Sequence, residues 1–249
     1  YEIVRSLVGS ENVYKRQLLF SLIASLIFTS FYIRDFRIDA SSDSLVSQND
    51  EDFKYFSYYQ YLFPTKNSLV IAIKSNSQID RVLIEEIEKI SKKLSDLPEV
   101  YSVFTINKAP ILLLNNTSLI DLTNNNYETI LNSSLPFENI LNEFAKSPIY
   151  SDQIINDSKN ITSIVIFLNE NGKAIDLKNN KDLYLTQGKY YKLKTEIDKE
   201  RNLLIKKIRN IIINSNQYFT YYLGGVEMIS SDVISCLLYT SPSPRDFVR

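Results

Sequence analysis

Two periodicities of apolar residues alternate along the central part of the chain. Ser68-Leu69-Val70-Ile71-Ala72-Ile73-Lys74 is a short β-rich run followed by a turn signal, after which Ile79, Leu83, Ile87, Ile90, Leu94 and Leu97 recur every three or four residues. The first pattern predicts a strand and the second an amphipathic helix. Pro98 stops that helix, having no N–H to continue the hydrogen-bond ladder, and Val100 to Ile106 resumes a strand. The order then returns. Thr162 to Leu168 predicts a strand, Leu193, Ile197, Leu204, Ile208 and Ile211 mark a long helix, and Tyr218 to Leu223 predicts the last strand.

Strand-helix-strand followed by strand-helix-strand is the split βαβ count. The pattern therefore predicts an α+β domain of ferredoxin-like topology over residues 68–227, with both helices on one face of an antiparallel sheet. Two stretches interrupt it. Residues 108–151 carry Pro110, Pro136, Pro148 and an Asn-rich centre, and read as an insertion with one short helix over Pro136 to Lys146, where Phe137, Ile140, Leu141 and Phe144 have helical spacing. Residues 169–191, with Gly172, Gly188 and Asn179-Asn180-Lys181-Asp182, read as a long mobile loop. Gly224-Gly225 fits neither a dinucleotide fingerprint nor a P-loop and predicts a tight turn after the last strand.

Upstream of this domain the pattern changes. From Gln17 to Ile33 there is no charged residue, and the run ends at Arg34-Asp35. Its polar members, Ser21, Ser25, Thr29 and Ser30, are small enough to bond back to their own helix. Residues 18–33 are therefore expected to form a short transmembrane helix in contact with the lipid bilayer, with Lys15 and Arg16 on the cytoplasmic side. A cleaved signal peptide is disfavoured, since no small-x-small site precedes Arg34. Residues 34–67 read as a connector with a short helix, and residues 228–235 as the start of a connector to a further transmembrane helix.

The ends have a different character. The only Met is Met228, and Cys236-Leu237-Leu238-Tyr239-Thr240-Ser241-Pro242-Ser243-Pro244-Arg245-Asp246 resembles translated sequencing-adapter read-through, as do Ser6 to Glu11 and Val13 to Gln17. Residues 1–17 and 236–249 are expected not to belong to the natural protein.

Composition narrows the chemistry. The 249 residues include 28 Lys+Arg and 29 Asp+Glu, for a net charge of -1, which gives no reason to expect a polyanion, and nucleic acid is disfavoured as a partner. The absence of His removes imidazole acid-base chemistry, Ser-His and Cys-His dyads and His-based zinc sites together. The single Cys236 forms no internal disulfide and no thiolate cluster. No catalytic, cofactor or metal residue is assigned, no enzyme activity is expected, and the domain is expected to fold without a metal or cofactor. Calcium held by oxygen ligands is the one exception left open.

Asp39 and Asp43 could pair for acid-base or cation chemistry, but Asp and Ser in Ile38 to Leu45 fit turn and cap roles better. Asp50-Glu51-Asp52 lacks the Gly and downstream Glu of a calcium loop and suits the positive end of a helix dipole. Tyr55, Phe56, Tyr58, Tyr59, Tyr61 and Phe63 form an aromatic cluster flanked by only Lys54 and Lys66, too few bases for stacking on nucleic acid. Core packing is the leading expectation for these rings, and a surface between membrane and domain, or for a greasy ligand, is the alternative. Glu85, Glu86 and Glu88 lie opposite the apolar stripe of their helix and read as a solvated face.

Several segments resemble one family. Arg37 to Leu45, Asn49 to Phe56 with the strand Leu69-Val70-Ile71 after it, Ser147-Pro148-Ile149-Tyr150, and Leu223-Gly224-Gly225-Val226-Glu227-Met228-Ile229-Ser230-Ser231-Asp232 are similar in order and spacing to the resistance-nodulation-division superfamily, in its bacterial MMPL-like branch of hydrophobe and amphiphile exporters. Glu227 departs from it, because that branch commonly has Pro after Gly-Gly-Val. The resemblance implies a fragment of a proton-driven permease of the bacterial inner membrane, comprising a first transmembrane helix and a periplasmic porter domain. It implies a hydrophobic or amphiphilic substrate such as a lipid, and a homo-oligomeric or periplasmic partner. The proton-coupling acids of such proteins sit in later membrane helices, so no relay residue carries over. The competing expectation is the extracytoplasmic sensor domain of a membrane-anchored receptor.

Overall fold

A computed structural model describes residues 2–33, 51–63 and 66–240. The chain divides into two units, Tyr1–Ala40 and Ser41–Arg249. The first contains helix α1, Glu2–Ile33. Its large apolar side chains Leu18, Phe20, Leu22, Leu26 and Phe28 are all exposed, and the Thr29 hydroxyl donates back to the carbonyls of Ser25 and Leu26. Among the described residues, no helix is long and apolar enough to cross a membrane.

The second unit opens with α2, Glu51–Leu62, which begins where the acidic run predicts, with Glu51 and Asp52 in its first turn. Then come β1 (Ser68–Lys74), α3 (Arg81–Ser95), β2 (Val100–Thr105) and a 3-10 turn over Ile106–Lys108. Two short helices follow, α4 (Leu119–Thr123) and α5 (Phe137–Lys146). The chain continues through β3 (Ile161–Leu168), α6 (Gly172–Asn179), α7 (Lys181–Thr186), α8 (Tyr190–Ile213), β4 (Thr220–Gly224) and α9 (Val226–Thr240).

The architecture is α+β. Four strands form one sheet in the order β2-β3-β1-β4, and every pairing is antiparallel. β1 and β2 are thus joined across β3, as are β3 and β4 across β1. Alternation selects one face of the sheet for burial: Leu69, Ile71 and Ile73 of β1 stand beside Ile166, Ile164 and Thr162 of β3, and all six are buried. α3 lays Leu83, Ile84, Ile87, Ile90 and Leu94 on that face, and α8 adds Leu204, Ile205 and Ile208 beside it. Asp80 starts α3 by accepting the Leu83 N–H at 2.8 Å. Burial of the six aliphatic side chains Leu69, Ile71, Ile73, Leu83, Ile87 and Leu94 contributes on the order of 10 kcal/mol before entropy is counted. The other face, centred on Val70, Phe104, Val165 and Phe167, is only half buried.

The insertion lies at the end of the sheet where β2 stops and β3 starts. It shares the core through Ile111, Ile130, Ile140, Leu141 and Phe144, and Ile155 bridges to Thr162 where β2 has ended. Its keystone is Glu143 of α5. The buried carboxylate accepts from the backbone N–H groups of Leu112 (2.7 Å), Leu113 (2.9 Å) and Leu114 (2.9 Å), which satisfies three donors that a turning chain would leave orphaned. Tyr150, next to Phe144 at a centroid distance of 5.1 Å, donates to the Pro110 carbonyl and ties the end of the insertion to its beginning.

Two expectations change here. Residues 169–191 are not a loop: they hold α6 and α7, with Asn171 capping α6 by accepting from the N–H groups of Lys173 and Ala174. The segment buries only Leu177 among its aliphatic residues, so it carries almost no amphipathic signature to read. The aromatic cluster on α2 is not core either. Tyr55, Phe56, Tyr58, Tyr59, Tyr61 and Phe63 are all exposed, Tyr61 at 83%.

Candidate functional site

A cleft of about 820 Å³ opens at the opposite end of the sheet from the insertion. β3 leaves the sheet there, while β1 and β2 enter it, so three strand termini meet with backbone groups free to be shared. The Leu168 N–H donates to the Asn67 carbonyl at 2.8 Å and the Asn169 N–H to the Glu99 carbonyl at 2.8 Å. Asn169 also donates through Nδ2 to the Pro98 carbonyl at 2.8 Å, closing the corner. α6 turns back over this corner, and α8 forms the far wall.

The floor is apolar, from Leu168, Ala174, Ile175, Ile197 and Leu204, and the rim is charged. Arg201 of α8 is the central cation. It pairs with Asp198 on its own helix and, at 3.4 Å, with Glu227 at the start of α9. Glu227 accepts as well from Asn67 Nδ2 at 3.0 Å. Glu227 thus links the entry of β1, the wall helix and the exit helix. Lys173 of α6 pairs with Glu200 of α8 and holds the Glu200 carboxyl below its ordinary range through a direct hydrogen bond, while Glu200 raises the Lys173 ammonium in return. Lys207 pairs with Glu99 at 2.7 Å, and that hydrogen bond lowers the Glu99 carboxyl against the opposing effect of burial.

These charges are largely spent on each other. Among the described residues, two buried polar atoms at the rim have no partner, Glu99 Oε2 and Arg201 Nε. Both suit a ligand carrying a donor and an acceptor, because each orphaned atom costs free energy that a polar ligand atom would recover. None of the lining residues is Ser, Thr, Cys or His, so the walls bring together binding groups and no hydroxyl or thiol nucleophile. Among the described residues, no group of three or more Asp, Glu, Cys or His side chains is placed to hold a metal ion.

The remaining candidates fall elsewhere. Asp39, Asp43 and Asp50 lie outside the described residues. Glu85 is exposed as expected, but Glu86 is not a free surface acid. Its side chain is 12% exposed and accepts the Asn216 N–H at 3.0 Å, fastening α3 to the turn before β4. Glu88 accepts from Asn107 Nδ2 at 3.4 Å. Gly225 has φ +126°, and a Cβ there would lie 2.9 Å from the Ser68 carbonyl oxygen, so the tight turn after β4 requires glycine at this position. The chain then enters α9 directly, where a connector was expected from residue 228. The cleft itself was not legible beforehand, although a strand end with two Asn residues, Asn169 and Asn171, just beyond it is a weak signal of polar loop chemistry.

Comparison with models of protein families and with curated proteins gives no match to this chain.

Proposed function

We propose that this chain is part of a membrane exporter resembling the MMPL-like branch of the resistance-nodulation-division superfamily, in which the α+β unit is a periplasmic porter-type domain of ferredoxin-like topology. In this reading the apolar half of α1, residues 18–33, holds the chain at the inner membrane although α1 is not long and apolar enough to cross it, and the domain passes a hydrophobic or amphiphilic substrate while transmitting movement to the helices that follow.

The observation that carries the reading is the joint between α8 and α9. The domain runs from β4 through Gly224-Gly225 straight into α9, and α8 grips that exit helix twice, through Arg201–Glu227 and Arg209–Asp232. A transport domain needs its outgoing helix coupled to its body, and two ion pairs spaced along one helix resist both sliding and rotation. The half-buried sheet face centred on Val70 and Phe167 supplies an apolar surface for substrate or a neighbouring subunit.

One feature favours the sensor alternative. The cleft is walled entirely by elements of this domain, as a self-contained ligand receptor requires. The gene downstream of Ser235 decides between the two. An exporter needs a hydrophobic stretch of ~20 residues followed by several more, whereas a single stretch leading to a signalling module would end the exporter proposal.

A further inference from the structure

The most conspicuous unassigned surface is α2. From Tyr55 to Thr65 the chain has no charged residue, and seven of these positions are Tyr, Phe or Leu. At about 100° per residue, Tyr61, Tyr58, Leu62, Tyr55, Tyr59, Phe63 and Phe56 follow one another around roughly 220° of the helix, leaving Ser57 and Gln60 on the remaining arc. A helix docked in a protein groove buries an apolar stripe of about 100°. The arc on α2 is twice that width and exposed throughout.

Its composition points to one kind of surface. Tyr joins an apolar ring to a hydroxyl and is enriched at the level of lipid headgroups, where both ends are satisfied. The rings are also braced against each other: Tyr55 and Tyr59 lie 4.6 Å apart and Tyr59 and Phe63 6.4 Å, and the Tyr55 hydroxyl donates to that of Tyr59 at 3.0 Å. That contact lifts the Tyr55 phenol above its ordinary pKa. By the same count Glu51, Asp52 and Lys54 of the first turn fall at the N-terminal end of that arc, and the two turns after them carry no charge, so attraction to the surface would be apolar and not electrostatic. Residues 34–50 separate α1 from α2, and a chain of that length reaches up to about 60 Å, ample to return α2 to a bilayer holding α1.

We infer that α2 is an interfacial helix that lays its aromatic arc in the headgroup layer and fastens the α+β domain to the lipid surface. The inference rests on the reading of α1 as a membrane anchor, and its test separates the two. The chain contains no Trp, so single reporters are unambiguous. Tyr58→Trp, Phe20→Trp and Tyr218→Trp variants of the full chain are reconstituted in phosphatidylcholine vesicles, with bromine placed either near the headgroups or deep in the acyl chains. Expected is quenching of Phe20→Trp by deep bromine, at least twofold quenching of Tyr58→Trp by shallow bromine, and none at Tyr218→Trp. An unquenched Tyr58→Trp beside a quenched Phe20→Trp overturns the inference and leaves the anchor standing, while an unquenched Phe20→Trp overturns both. Equal quenching at Tyr218→Trp would show that the whole domain lies on lipid and would remove the assignment to α2. A blue-shifted, concentration-dependent emission of Tyr58→Trp in lipid-free detergent would show that a second copy covers the arc instead.

Discussion

Arg209 holds both carboxylate oxygens of Asp232 through a single nitrogen, Nη2, at distances of 2.8 and 2.7 Å, and so joins the wall helix α8 to the exit helix α9. Both side chains are nearly half exposed, so the pair adds at most about 1 kcal/mol to overall stability. Arg209→Gln is expected to leave the urea midpoint almost unchanged. It should nonetheless increase amide exchange in residues 226–235 severalfold while leaving β1 and β3 protected, and unchanged exchange in α9 would count against the coupling role of the joint.

Glu143 makes the opposite case, since its contacts are buried. Glu143→Ala strips the acceptor from three N–H groups and should cost about 3 kcal/mol or more in chemical unfolding. Lys89→Ala, whose side chain is 68% exposed, serves as a control and should cost under about 0.5 kcal/mol.

The glycine pair after β4 separates two requirements. Gly225→Ala places a methyl group against Ser68 and Leu69 in a left-handed backbone and is expected to cost at least about 2 kcal/mol. At Gly224 the nearest atom to an added Cβ is the Val70 carbonyl oxygen at 3.9 Å, so Gly224→Ala should be close to neutral. Thermal melts of the two variants give the comparison directly.

Tyr150 and Tyr221 set an alkaline limit. Burial, with Glu143 beside Tyr150 and Glu86 beside Tyr221, pushes both phenols up to about 12 from an ordinary 10.0. A raised folded-state pKa means that the native chain holds these protons more tightly. Their contribution is complete below pH 10 and is lost as pH rises toward 12. Absorbance titration should show a late phenolate step that shrinks in Tyr150→Phe, and a Tyr150→Phe profile identical to that of the parent would refute the assignment.

Burying a charge in the α3 stripe, as in Ile87→Asp, should unfold the domain, with a cost of several kcal/mol. Glu86→Lys, which a solvated-face reading would make harmless, is expected to cost about 1–2 kcal/mol because it leaves the Asn216 N–H unpaired and puts a cation in a nearly closed position.

What could be read from the sequence follows the strength of the periodic signal. β1, α3, β3 and α8 each bury residues at regular spacing against one sheet face, so Leu69, Ile71, Leu83, Ile87, Ile164 and Ile208 announce both element and orientation, while β2 is read through an irregular register and β4 from its half-buried Tyr221 and Leu223. α6 escapes because Asn171 and Lys173 hold it to Glu200 of α8 without a buried stripe, and α7 because it buries nothing. α4 is anchored by the reciprocal Ser118 and Asp121 cap and buries nothing. The cleft is less legible still. Its members come from residues as far apart as Lys66 and Glu227, and only the strand order brings them to one corner.

That strand order also governs when the protein can finish folding. Lys74 ends up beside both Ile161 and Thr220, so β1 emerges early from the ribosome while its two partners are still unsynthesised. At usual elongation rates the wait for β4 is on the order of ten seconds, far longer than a helix needs to form. Until β3 and then β4 are made, the two backbone edges of β1 stay unpaired in turn, which makes this strand the segment most exposed to aggregation in truncated chains.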